Sequence, residues 1–234
     1  MSARPALSII MPVLNEAPGI VAVLEALAPL RQRGVEVIVV DGGSSDDTLT
    51  AAAPLSDRVL TSPRGRARQM NAGAVMATGQ ALLFLHADTR LPDAADRLVA
   101  DAVDPHGIRR HWGRFDVVIE GRSAWLPVIA RMMNLRSRIT GIATGDQAIF
   151  VSRSALKAVG GFAEIPLMED IDLSRRLGRL SRPACLTARA TTSGRRWETH
   201  GVWRMIVLMW SLRLRYFLGA DPARLALEYG YGQN

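Results

Sequence analysis

The chain has 234 residues, of which 48% are hydrophobic, and a formal net charge of +7. That is enough apolar material for one substantial core and too little for two large domains. Lys157 is the single lysine, so nearly all cationic side chains are arginines, which suit phosphates, nucleic acid or an anionic membrane face. A GC-rich genome, which encodes basic residues as arginine, is the alternative explanation. Because Cys185 is the single cysteine, no internal disulfide can form, which fits a reducing compartment.

The amino-terminal region predicts neither an export signal nor a membrane anchor. The apolar run from Leu7 to Val13 contains Pro12 and lacks the charged, apolar and cleavage regions of a signal peptide. No apolar stretch approaches the roughly 20 residues that a membrane-spanning helix requires. We therefore expect a cytoplasmic protein.

The first half of the chain alternates between apolar strands and amphipathic helices. Continuous β-branched runs predict buried parallel strands, and apolar residues at helical spacing predict the helices between them. This alternation predicts a mainly parallel sheet with right-handed crossovers. The predicted strands are 8–13, 35–40, 58–60 and 81–85, and the predicted helices run from Pro18 to Gly34 and over 66–77.

The second half differs from the first, and a turn is predicted at Gly160, Gly161 and Phe162. We expect residues 1–190 to form one α/β domain, and residues 191–234 to form a helical extension packed on or beside it. The predicted strands are 115–119, 147–152 and 183–188, and the predicted helices are 123–135, 168–180 and 197–218.

Short polar clusters follow the predicted strands. Ligands of open α/β sheets bind at the carboxyl ends of strands, so acids, glycines and arginines there predict a site for an anionic ligand with a metal. The segment from Asp41 to Thr48 combines a carboxylate with two glycines and two serines, a tight turn that a ligand can approach closely. Asp41 could accept hydrogen bonds from a base or a sugar. The alternative is an ordinary loop in which Ser45 or Asp46 caps the next helix.

A group of arginines opens the helix predicted at 66–77. Arg64, Arg66 and Arg68 alternate at its start, where a helix N-terminus and guanidinium groups attract phosphate. A solvated basic face would produce the same pattern. Asn71 and Gly73 favour the phosphate site, because both are poor residues for the middle of a helix.

His86, Ala87 and Asp88 follow a strand that is too apolar to be exposed. One aspartate at a strand end can hold a divalent metal whose other positions are filled by phosphates and water. Alternatively, Asp88 caps the helix near Pro92, and His86 is merely hydrogen-bonded.

Glu169, Asp170 and Asp172 open another predicted helix. Three acids stabilise the helix dipole there, which by itself is a sufficient structural explanation. Adjacent helical residues point about 100° apart, so Glu169 and Asp170 cannot both face one reacting atom. One of them could act as a base while the other is structural.

In this order, the clusters resemble the inverting nucleotide-sugar glycosyltransferases of family 2, which have the GT-A fold. The resemblance covers about residues 7–180, and the joint order of the motifs is far more specific than any one of them. It implies a three-layer α/β/α fold and Mn²⁺- or Mg²⁺-assisted transfer of a sugar from a nucleotide-diphosphate sugar, preferably a UDP-sugar, to an acceptor hydroxyl. The segments that carry it are SIIMPVLNE, VIVVDGGSSDDT, GRARQMNAG, LLFLHADTRLP and GGFAEIPLMEDIDLSRRL.

The resemblance also implies roles for individual residues. Asp170 would be the general base, with Glu169 beside it, and Asp88 would hold the metal. Nucleotide binding falls on Pro12, Asn15, Glu16, Asp41, Gly43, Arg66, Arg68, Asn71 and Ala87. Candidates for acceptor or diphosphate contacts are His86, Asp146, Arg195, Arg196 and Trp197.

The sequence departs from the family pattern at three positions. His86 replaces the first aspartate of the metal-binding D-x-D motif, and Asp41 stands alone where many relatives have paired aspartates. Ser193 replaces the glutamine of the Q-x-x-R-W motif of processive synthases, so polymer synthesis is not expected. The H-A-D-T form and the segment Thr192–Gly201 are most similar to a bacterial subgroup named for its genomic association with radical-SAM and selenoprotein-like genes.

The acceptor is not predicted. Segments 123–138 and 203–218 combine tryptophan and aliphatic residues with arginine, as at a membrane interface, so a lipid carrier or a membrane-bound glycan is one alternative. That alternative would place the protein at the inner face of the membrane. Ordinary core packing explains the same apolar stripes and is the interpretation we favour.

Rival functions from other classes stay open. A nucleotidyltransferase-like enzyme shares the sheet and the metal, but it usually carries a glycine-rich basic signature where this chain has Pro12, Asn15 and Glu16. The basic balance suits a non-catalytic nucleotide- or nucleic-acid-binding module, although an aromatic content of 6% and the lack of a recognised motif argue against nucleic acid. A catalytically inactive sugar-nucleotide sensor is the third alternative.

Overall fold

The structure is a computed structural model that describes residues 6–103 and 110–231. The strands in this part of the chain are β1 (Leu7–Val13), β2 (Glu36–Asp41), β3 (Arg58–Thr61), β4 (Ala81–Phe84), β5 (Thr89–Arg90), β6 (Trp112–Glu120), β7 (Phe150–Ser152) and β8 (Ala184–Ser193). Its α-helices are α1 (Ala17–Ala26), α2 (Ala28–Gln32), α3 (Thr48–Ala52), α4 (Arg66–Met76), α5 (Ala95–Ala102), α6 (Leu126–Thr140), α7 (Arg153–Ala158), α8 (Glu169–Gly178), α9 (Arg195–His200), α10 (Val202–Phe217) and α11 (Pro222–Tyr229).

The strands form one sheet in the order β3-β2-β1-β4-β7-β6-β8-β5. β1 pairs in parallel with β2 and β4, and β2 pairs in parallel with β3. β7 is antiparallel to both β4 and β6, whereas β6 and β8 are parallel, so six strands point the same way and β5 and β7 point the other way. The mainly parallel sheet expected from the sequence is confirmed.

The two faces of the sheet bury separate hydrophobic cores. Ile9 of β1 packs with Leu24 of α1 and Val99 of α5 on one face. Ile10, the next residue of β1, packs with Met70 of α4 on the other face. Successive side chains of a strand point to opposite faces, so the continuous apolar runs are buried on both sides by helices. The result is the three-layer α/β/α arrangement expected from the sequence.

Pro12 lies inside β1 without interrupting the sheet. It pairs with Val40 of β2, whereas the ladder between β1 and β4 includes only Leu7–Ile10 of β1. The amide hydrogen that proline lacks therefore falls beyond the end of the β4 ladder, where no strand hydrogen bond is lost.

Two helices that the sequence predicts as continuous are interrupted, so both predictions were wrong. The first ends at Ala26, and α2 restarts with Pro29 in its first turn, a position where proline is favoured because its missing N–H is not needed. The helix predicted at 197–218 is divided into α9 and α10 by Gly201, whose φ of 82° lies outside the right-handed helical region. Hydrophobic periodicity does not detect a break of one residue.

The carboxyl-terminal helices pack against the start of α8. Leu212 of α10 and Leu225 of α11 share a small core with Ile171 of α8. Strand β8 continues past residue 190 to Ser193, so the sheet extends across the boundary expected between residues 190 and 191. The division into a domain and an extension stays a prediction.

Asn71 and Gly73 make tertiary contacts that explain their position in the middle of α4. The amide of Asn71 donates to the carbonyl of Phe162 and accepts from its N–H, both at 2.9 Å. A Cβ atom on Gly73 would lie 2.4 Å from Cγ2 of Ile10 and 3.0 Å from Cγ2 of Val40. These contacts are a sufficient structural reason for both residues, so a phosphate site at this point of α4 stays a prediction.

We predict that Gly73→Ala destabilises the protein, because the added methyl group has no space between α4 and the sheet. Overpacking of this kind costs about 1–3 kcal/mol, to be measured by urea denaturation. Gly178→Ala is the matched control, since Gly178 lies in helix α8 and a Cβ there meets nothing within 4 Å. Helix propensity alone should leave the control neutral or slightly stabilised. Equal stability of the two variants would contradict the packing role of Gly73.

Candidate active site

A cavity of about 710 Å³ lies at the carboxyl edge of the sheet. Its wall comes from the segments after β4 and at the end of β8, and from helices α6, α8 and α10 and the end of α11. One end is polar and the other is apolar. The polar end contains Arg66, His86, Asp88, Asp146, Glu169, Asp170 and Arg196.

The site residues expected from the sequence divide into two groups. Those that line the cavity are Arg66, His86, Asp88, Asp146, Glu169, Asp170, Arg196 and Trp197. Those that do not line it are Pro12, Asn15, Glu16, Asp41, Gly43, Arg68, Asn71, Ala87 and Arg195. The structure thus brings the metal and base candidates together. Of the nucleotide candidates, Asn15, Glu16 and Gly43 lie in the loops that follow β1 and β2.

The loops after β1 and β2 are joined by hydrogen bonds around Asp41. Asp41 is only 1% exposed, and its carboxylate accepts from the N–H of Gly43 at 2.8 Å, the N–H of Ser44 at 2.9 Å and the Ser44 hydroxyl. Asn15, at a φ of 54°, accepts from the N–H of Ser45 at 2.8 Å. Asp41 therefore shapes this loop, and a direct contact from its carboxylate to a nucleotide stays a prediction.

Gln69 is a residue of this region that sequence reasoning missed. Its buried Nε2 donates to the carbonyls of Val13 and Val40, both at 2.8 Å, and so fastens α4 to the ends of β1 and β2. A Cβ on Gly42 would lie 3.0 Å from the Gln69 amide, which explains a glycine there. In the sequence, Gln69 stands between Arg68 and Asn71, and no motif or spacing indicated that its side chain holds α4 to the sheet.

Arg66 and Glu169 form an ion pair between α4 and α8. Nη1 of Arg66 lies 3.2 Å from Oε1 of Glu169, and Nη2 donates to the hydroxyl of Tyr231. Glu169 is 3% exposed, and burial raises its pKa, against the opposing charge of Arg66 and with the added repulsion of Asp170. Arg68, in contrast, points away from the cavity and pairs with exposed Glu164 at 3.0 Å.

Asp170 is held by backbone amides while its carboxylate lines the cavity. Oδ2 accepts from the N–H of Gly145 at 3.0 Å, and Oδ1 accepts from the N–H of Ile171 at 2.7 Å. Each carboxylate oxygen can accept more than one hydrogen bond, so both can still receive a donor from the cavity. Glu169 and Asp170 thus have different partners, as expected for neighbouring positions on a helix.

His86 faces Asp146 across the cavity floor. Nδ1 of His86 lies 3.3 Å from Oδ1 of Asp146, and a Cβ on Gly145 would lie 2.3 Å from Nε2 of His86. Burial alone would raise the pKa of the Asp146 carboxyl, but the hydrogen bond from His86 and the charges of His86 and Arg66 outweigh burial and lower it. Asp146 is therefore an ionised partner that orients His86, and glycine is needed at 145 for their contact.

Asp88 presents an exposed carboxylate to the cavity. Its Oδ1 accepts from the hydroxyl of Thr89 at 3.2 Å, and α5 begins only at Ala95, so Asp88 does not cap that helix. Burial raises the pKa of nearby Glu16, and the negative charge of Asp88 adds to that effect, while Arg195 opposes it. Two acids that repel each other form a region that a divalent cation would stabilise.

The donor set fits a hard divalent cation that shares its ligands with a bound phosphate. Within residues 6–103 and 110–231, no group of three or more His, Cys, Asp or Glu side chains is arranged to hold a metal. Asp88 offers a single carboxylate, so phosphate oxygens and water would fill the other positions, as is usual for Mg²⁺ sites.

The carboxyl-terminal residues of the described chain close one side of the cavity, which the sequence did not indicate. The guanidinium of Arg196 stacks 3.7 Å from the ring centre of Tyr229 and donates to the Tyr229 carbonyl at 2.8 Å. Tyr231, with its hydroxyl on Arg66, packs edge-on against Tyr229. No sequence pattern around Tyr229 and Tyr231 indicates that they contact Arg196 and Arg66.

The apolar end of the cavity lies between α6 and α10. Ile129 of α6 is buried in the core against β6, whereas Trp125, Trp203 and Trp210 are 47%, 61% and 65% exposed. The expectation that core packing explains both apolar stripes is therefore wrong for the faces of α6 and α10 that point outward. In the described part of the chain, no helix has the length and apolar character needed to cross a membrane.

We predict that Glu169→Gln gains stability relative to the wild type as the pH rises from about 4.5 to about 8. A raised folded-state pKa means that the wild type loses stability as the pH rises and the buried carboxyl ionises, whereas glutamine does not titrate. Melting temperatures of the two proteins across this range measure the difference. A difference that stays constant, or that moves in favour of the wild type, would contradict the burial of a charge at Glu169.

Curated relatives match part of the chain. A PGL/p-HBAD biosynthesis glycosyltransferase of Mycobacterium bovis (strain BCG / Pasteur 1173P2) is 41% identical over 99 residues, which cover 39% of each protein. An uncharacterized glycosyltransferase of Mycobacterium tuberculosis (strain ATCC 25618 / H37Rv) is 36% identical over 102 residues, 42% of this chain and 44% of the relative. The matched region thus spans less than half the length of these relatives.

Solved structures share the fold. TarS of S. aureus in complex with UDP-GlcNAc superposes with a TM-score of 0.63 at 21% identity, over 80% of this chain and 58% of that one. Mannosyltransferase PcManGT from Pyrobaculum calidifontis, in complex with GDP-Man and Mn²⁺, gives 0.57 at 22% identity, over 81% and 57%. At this level of identity the similarity establishes the fold, which is that of the GT-A glycosyltransferases.

The family follows from the sequence profile that matches the amino-terminal part of the chain. The profile of Glycosyl transferase family 2 matches residues 8–157, which is more than half of the chain. The matched region contains the sheet from β1 to β7 and carries Asp88 and His86 at its carboxyl edge. The protein belongs to glycosyltransferase family 2.

Proposed function

We propose that the chain transfers a sugar from a nucleotide-diphosphate sugar to an acceptor hydroxyl, with inversion at the anomeric carbon. The observation that carries this proposal is that Asp88 and Asp170 line the same cavity at the carboxyl edge of a GT-A sheet. Family membership and the nucleotide sugars named in the titles of the structural neighbours support the donor class. A purely binding role would not need a second acid facing the same space, and a nucleotidyltransferase usually carries a glycine-rich basic signature where this chain has Pro12, Asn15 and Glu16.

The donor nucleotide would bind over the loops that follow β1 and β2. Asp41 and Asn15 shape these loops, and Gly43, at a φ of 94°, keeps the backbone open to a close approach. We favour a UDP-sugar, since UDP or UDP-GlcNAc occupies several of the structural neighbours. The nucleotide role of Pro12, Glu16, Arg66, Arg68, Asn71 and Ala87 is part of the same proposal.

A divalent cation, Mn²⁺ or Mg²⁺, would be held by Asp88 and by the donor diphosphate. The neighbours that were crystallised with Mn²⁺ or Mg²⁺ support this assignment. When bound, the metal would neutralise charge on the leaving diphosphate as a Lewis acid. His86, oriented by Asp146, would add a hydrogen bond to the same group, and Arg195, Arg196 and Trp197 are further candidates for contacts to the diphosphate or the acceptor.

Asp170 would act as the general base. In the inverting step, an acceptor oxygen bonds to the anomeric carbon as the carbon–oxygen bond to the diphosphate breaks, and the hydroxyl proton moves to the Asp170 carboxylate. Hydrogen bonds from the N–H groups of Gly145 and Ile171 fix the position of the carboxylate. Glu169 is engaged by Arg66 and would position the start of α8 rather than take the proton.

Two finer assignments complete the proposal. Membership of the radical-SAM-associated subgroup rests on the H-A-D-T form and on Thr192–Gly201, four residues of which line the cavity with Asp88. A cytoplasmic location rests on the single cysteine, which fits a reducing compartment, and contact with the inner face of a membrane rests on the exposed Trp125, Trp203 and Trp210.

We predict that Asp170→Asn lowers the rate of sugar transfer by about 10²–10⁴-fold, the usual contribution of a general base. The thermal shift given by UDP-sugar with Mn²⁺ should survive, because Asp170 takes no part in nucleotide binding. The assay is release of UDP from the donor sugar that gives the largest thermal shift. Asp172→Asn is the control, since Asp172 pairs with Arg176 on the same helix and does not line the cavity. Full activity of Asp170→Asn would refute the assignment of the base.

We also predict that Asp88→Asn abolishes the extra stabilisation that Mn²⁺ adds to UDP-sugar binding. Ligands that bind only the folded state raise its melting temperature, so the shift with and without Mn²⁺ measures the metal directly. UDP-, GDP- and dTDP-sugars should be compared, and Asp93→Asn, at an exposed position outside the cavity, is the control. An unchanged Mn²⁺-dependent shift in Asp88→Asn, or turnover that chelation does not lower, would remove the metal from Asp88.

A further inference from the structure

The apolar end of the cavity forms a groove between α6 and α10, and many of the large side chains that line it are exposed. Trp125 and Trp203 meet edge-on across the groove, with ring centres 4.9 Å apart. Exposed apolar surface of this extent marks a binding surface in a soluble protein. The groove residues are Trp125, which precedes α6, Val128, Met132, Leu135 and Ile139 of α6, and Trp203, Ile206, Met209 and Trp210 of α10.

The groove opens directly into the polar end of the same cavity. Met168 and Asp170 at the start of α8 line the cavity together with Met132 and Trp210 of the groove. A molecule that lies along α6 and α10 can therefore place one end beside the general base that we propose. A second protein or a membrane surface would cover the groove from outside without filling the polar end.

Two arginines stand where the groove meets the polar end. Arg136 of α6 and Arg213 of α10 both line the cavity. Nε and Nη2 of Arg136, and Nε of Arg213, are buried and have no hydrogen-bond partner among the described residues. Buried charged groups are normally paired, so these donors require an acceptor that the described protein does not supply.

The electrostatics of this pair favour an anion. Burial and the nearby charge of Arg213 lower the pKa of Arg136 to about 10, and burial also lowers the pKa of Arg213. Asp170 interacts with both arginines and partly offsets their charge. Of the other two arginines of the cavity, Arg66 is engaged by Glu169 and Tyr231. Arg196 stacks on Tyr229 and donates to its carbonyl through Nη2, and its buried Nε also lacks a hydrogen-bond partner among the described residues.

We propose that the acceptor is an amphiphile with one anionic group and a long apolar chain. The chain lies between α6 and α10, and the anionic group, of the phosphate type, binds Arg136 and Arg213 next to the oxygen that accepts the sugar. Guanidinium groups hold phosphate with strong charge-assisted hydrogen bonds, and the aromatic groove removes the chain from water. This inference rests on the proposed function for the reaction, but the binding of the amphiphile can be tested without it.

The test uses decyl phosphate below its micelle concentration as the probe, with decanol and inorganic phosphate as the two halves of the molecule. Isothermal titration calorimetry on the full chain should give tighter binding for decyl phosphate than for either half, by at least about tenfold. Arg136→Met should weaken decyl phosphate by about tenfold, leave decanol unchanged, and leave UDP-glucose with Mn²⁺ within about twofold. Arg131→Met is the control, because Arg131 is exposed on the same helix outside the cavity.

Each outcome separates this inference from its rivals. Equal affinity for decyl phosphate and decanol, or an unchanged affinity in Arg136→Met, would overturn the proposal. Loss of UDP-glucose binding in Arg136→Met would also overturn it and assign the arginines to the donor diphosphate. A dimer that dissociates in Trp210→Glu would assign the groove to a second copy of this chain. Decyl phosphate binding without any binding of UDP-glucose would support the amphiphile site and count against the proposed function alone.

The melting temperature of Arg136→Met shows whether a change in binding comes from lost stability. Removal of an unpartnered buried charge should not destabilise the fold, so Arg136→Met should melt at or above the wild-type temperature. A variant that melts lower would show that Arg136 has a structural partner, which also contradicts the proposal.

Discussion

The parallel pairing of β1 with β2 and β4 determines which edge of the sheet holds the candidate active site. Because these strands run in one direction, the chain must leave each of them at the same edge of the sheet. β7 is antiparallel to β4, and this reversal lets β6 and β8 join the sheet in the original direction. The loop after β4 and the end of β8 thus reach one cavity, although more than 100 residues separate Asp88 from Ser193.

Neighbouring acidic residues in the cavity differ in their charged and hydrogen-bonding partners. Glu169 is buried against Arg66 and is costly to ionise, whereas Asp170, the next residue, is held by two backbone amides and faces the cavity. Asp146 is kept ionised by His86 and fixes the orientation of that ring. The arginines differ in the same way, since Arg66 donates hydrogen bonds within the protein, whereas two buried nitrogens of Arg136 have no hydrogen-bond partner among the described residues. The acids and the unpartnered donors converge on the space where a diphosphate, a metal and an acceptor would meet.

Local pattern was enough to predict the mainly parallel sheet, because buried parallel strands are continuous apolar runs. The three layers and several residues of the polar end followed from the resemblance to family 2. Local pattern failed where a feature depends on distant contacts. Asn71 and Gly73 suggested a ligand, and no sequence pattern indicated their contacts with Phe162 and with the β1 surface. The outward faces of α6 and α10 have the same apolar spacing as a core face, so periodicity could not reveal their exposure. Gln69, Tyr229 and Tyr231 carried no local signal, since their partners lie far along the chain.

The central claim is that one cavity at the carboxyl edge of the sheet holds the donor diphosphate and its cation against the base. A crystal structure with UDP-glucose and Mn²⁺, with data collected at the manganese absorption edge, tests it most directly. We expect an anomalous peak on the Asp88 carboxylate, with the diphosphate on the metal and the sugar in the cavity that Asp170 lines. Manganese and nucleotide bound outside that cavity, or a sugar on the side of the sheet away from Asp170, would contradict the account.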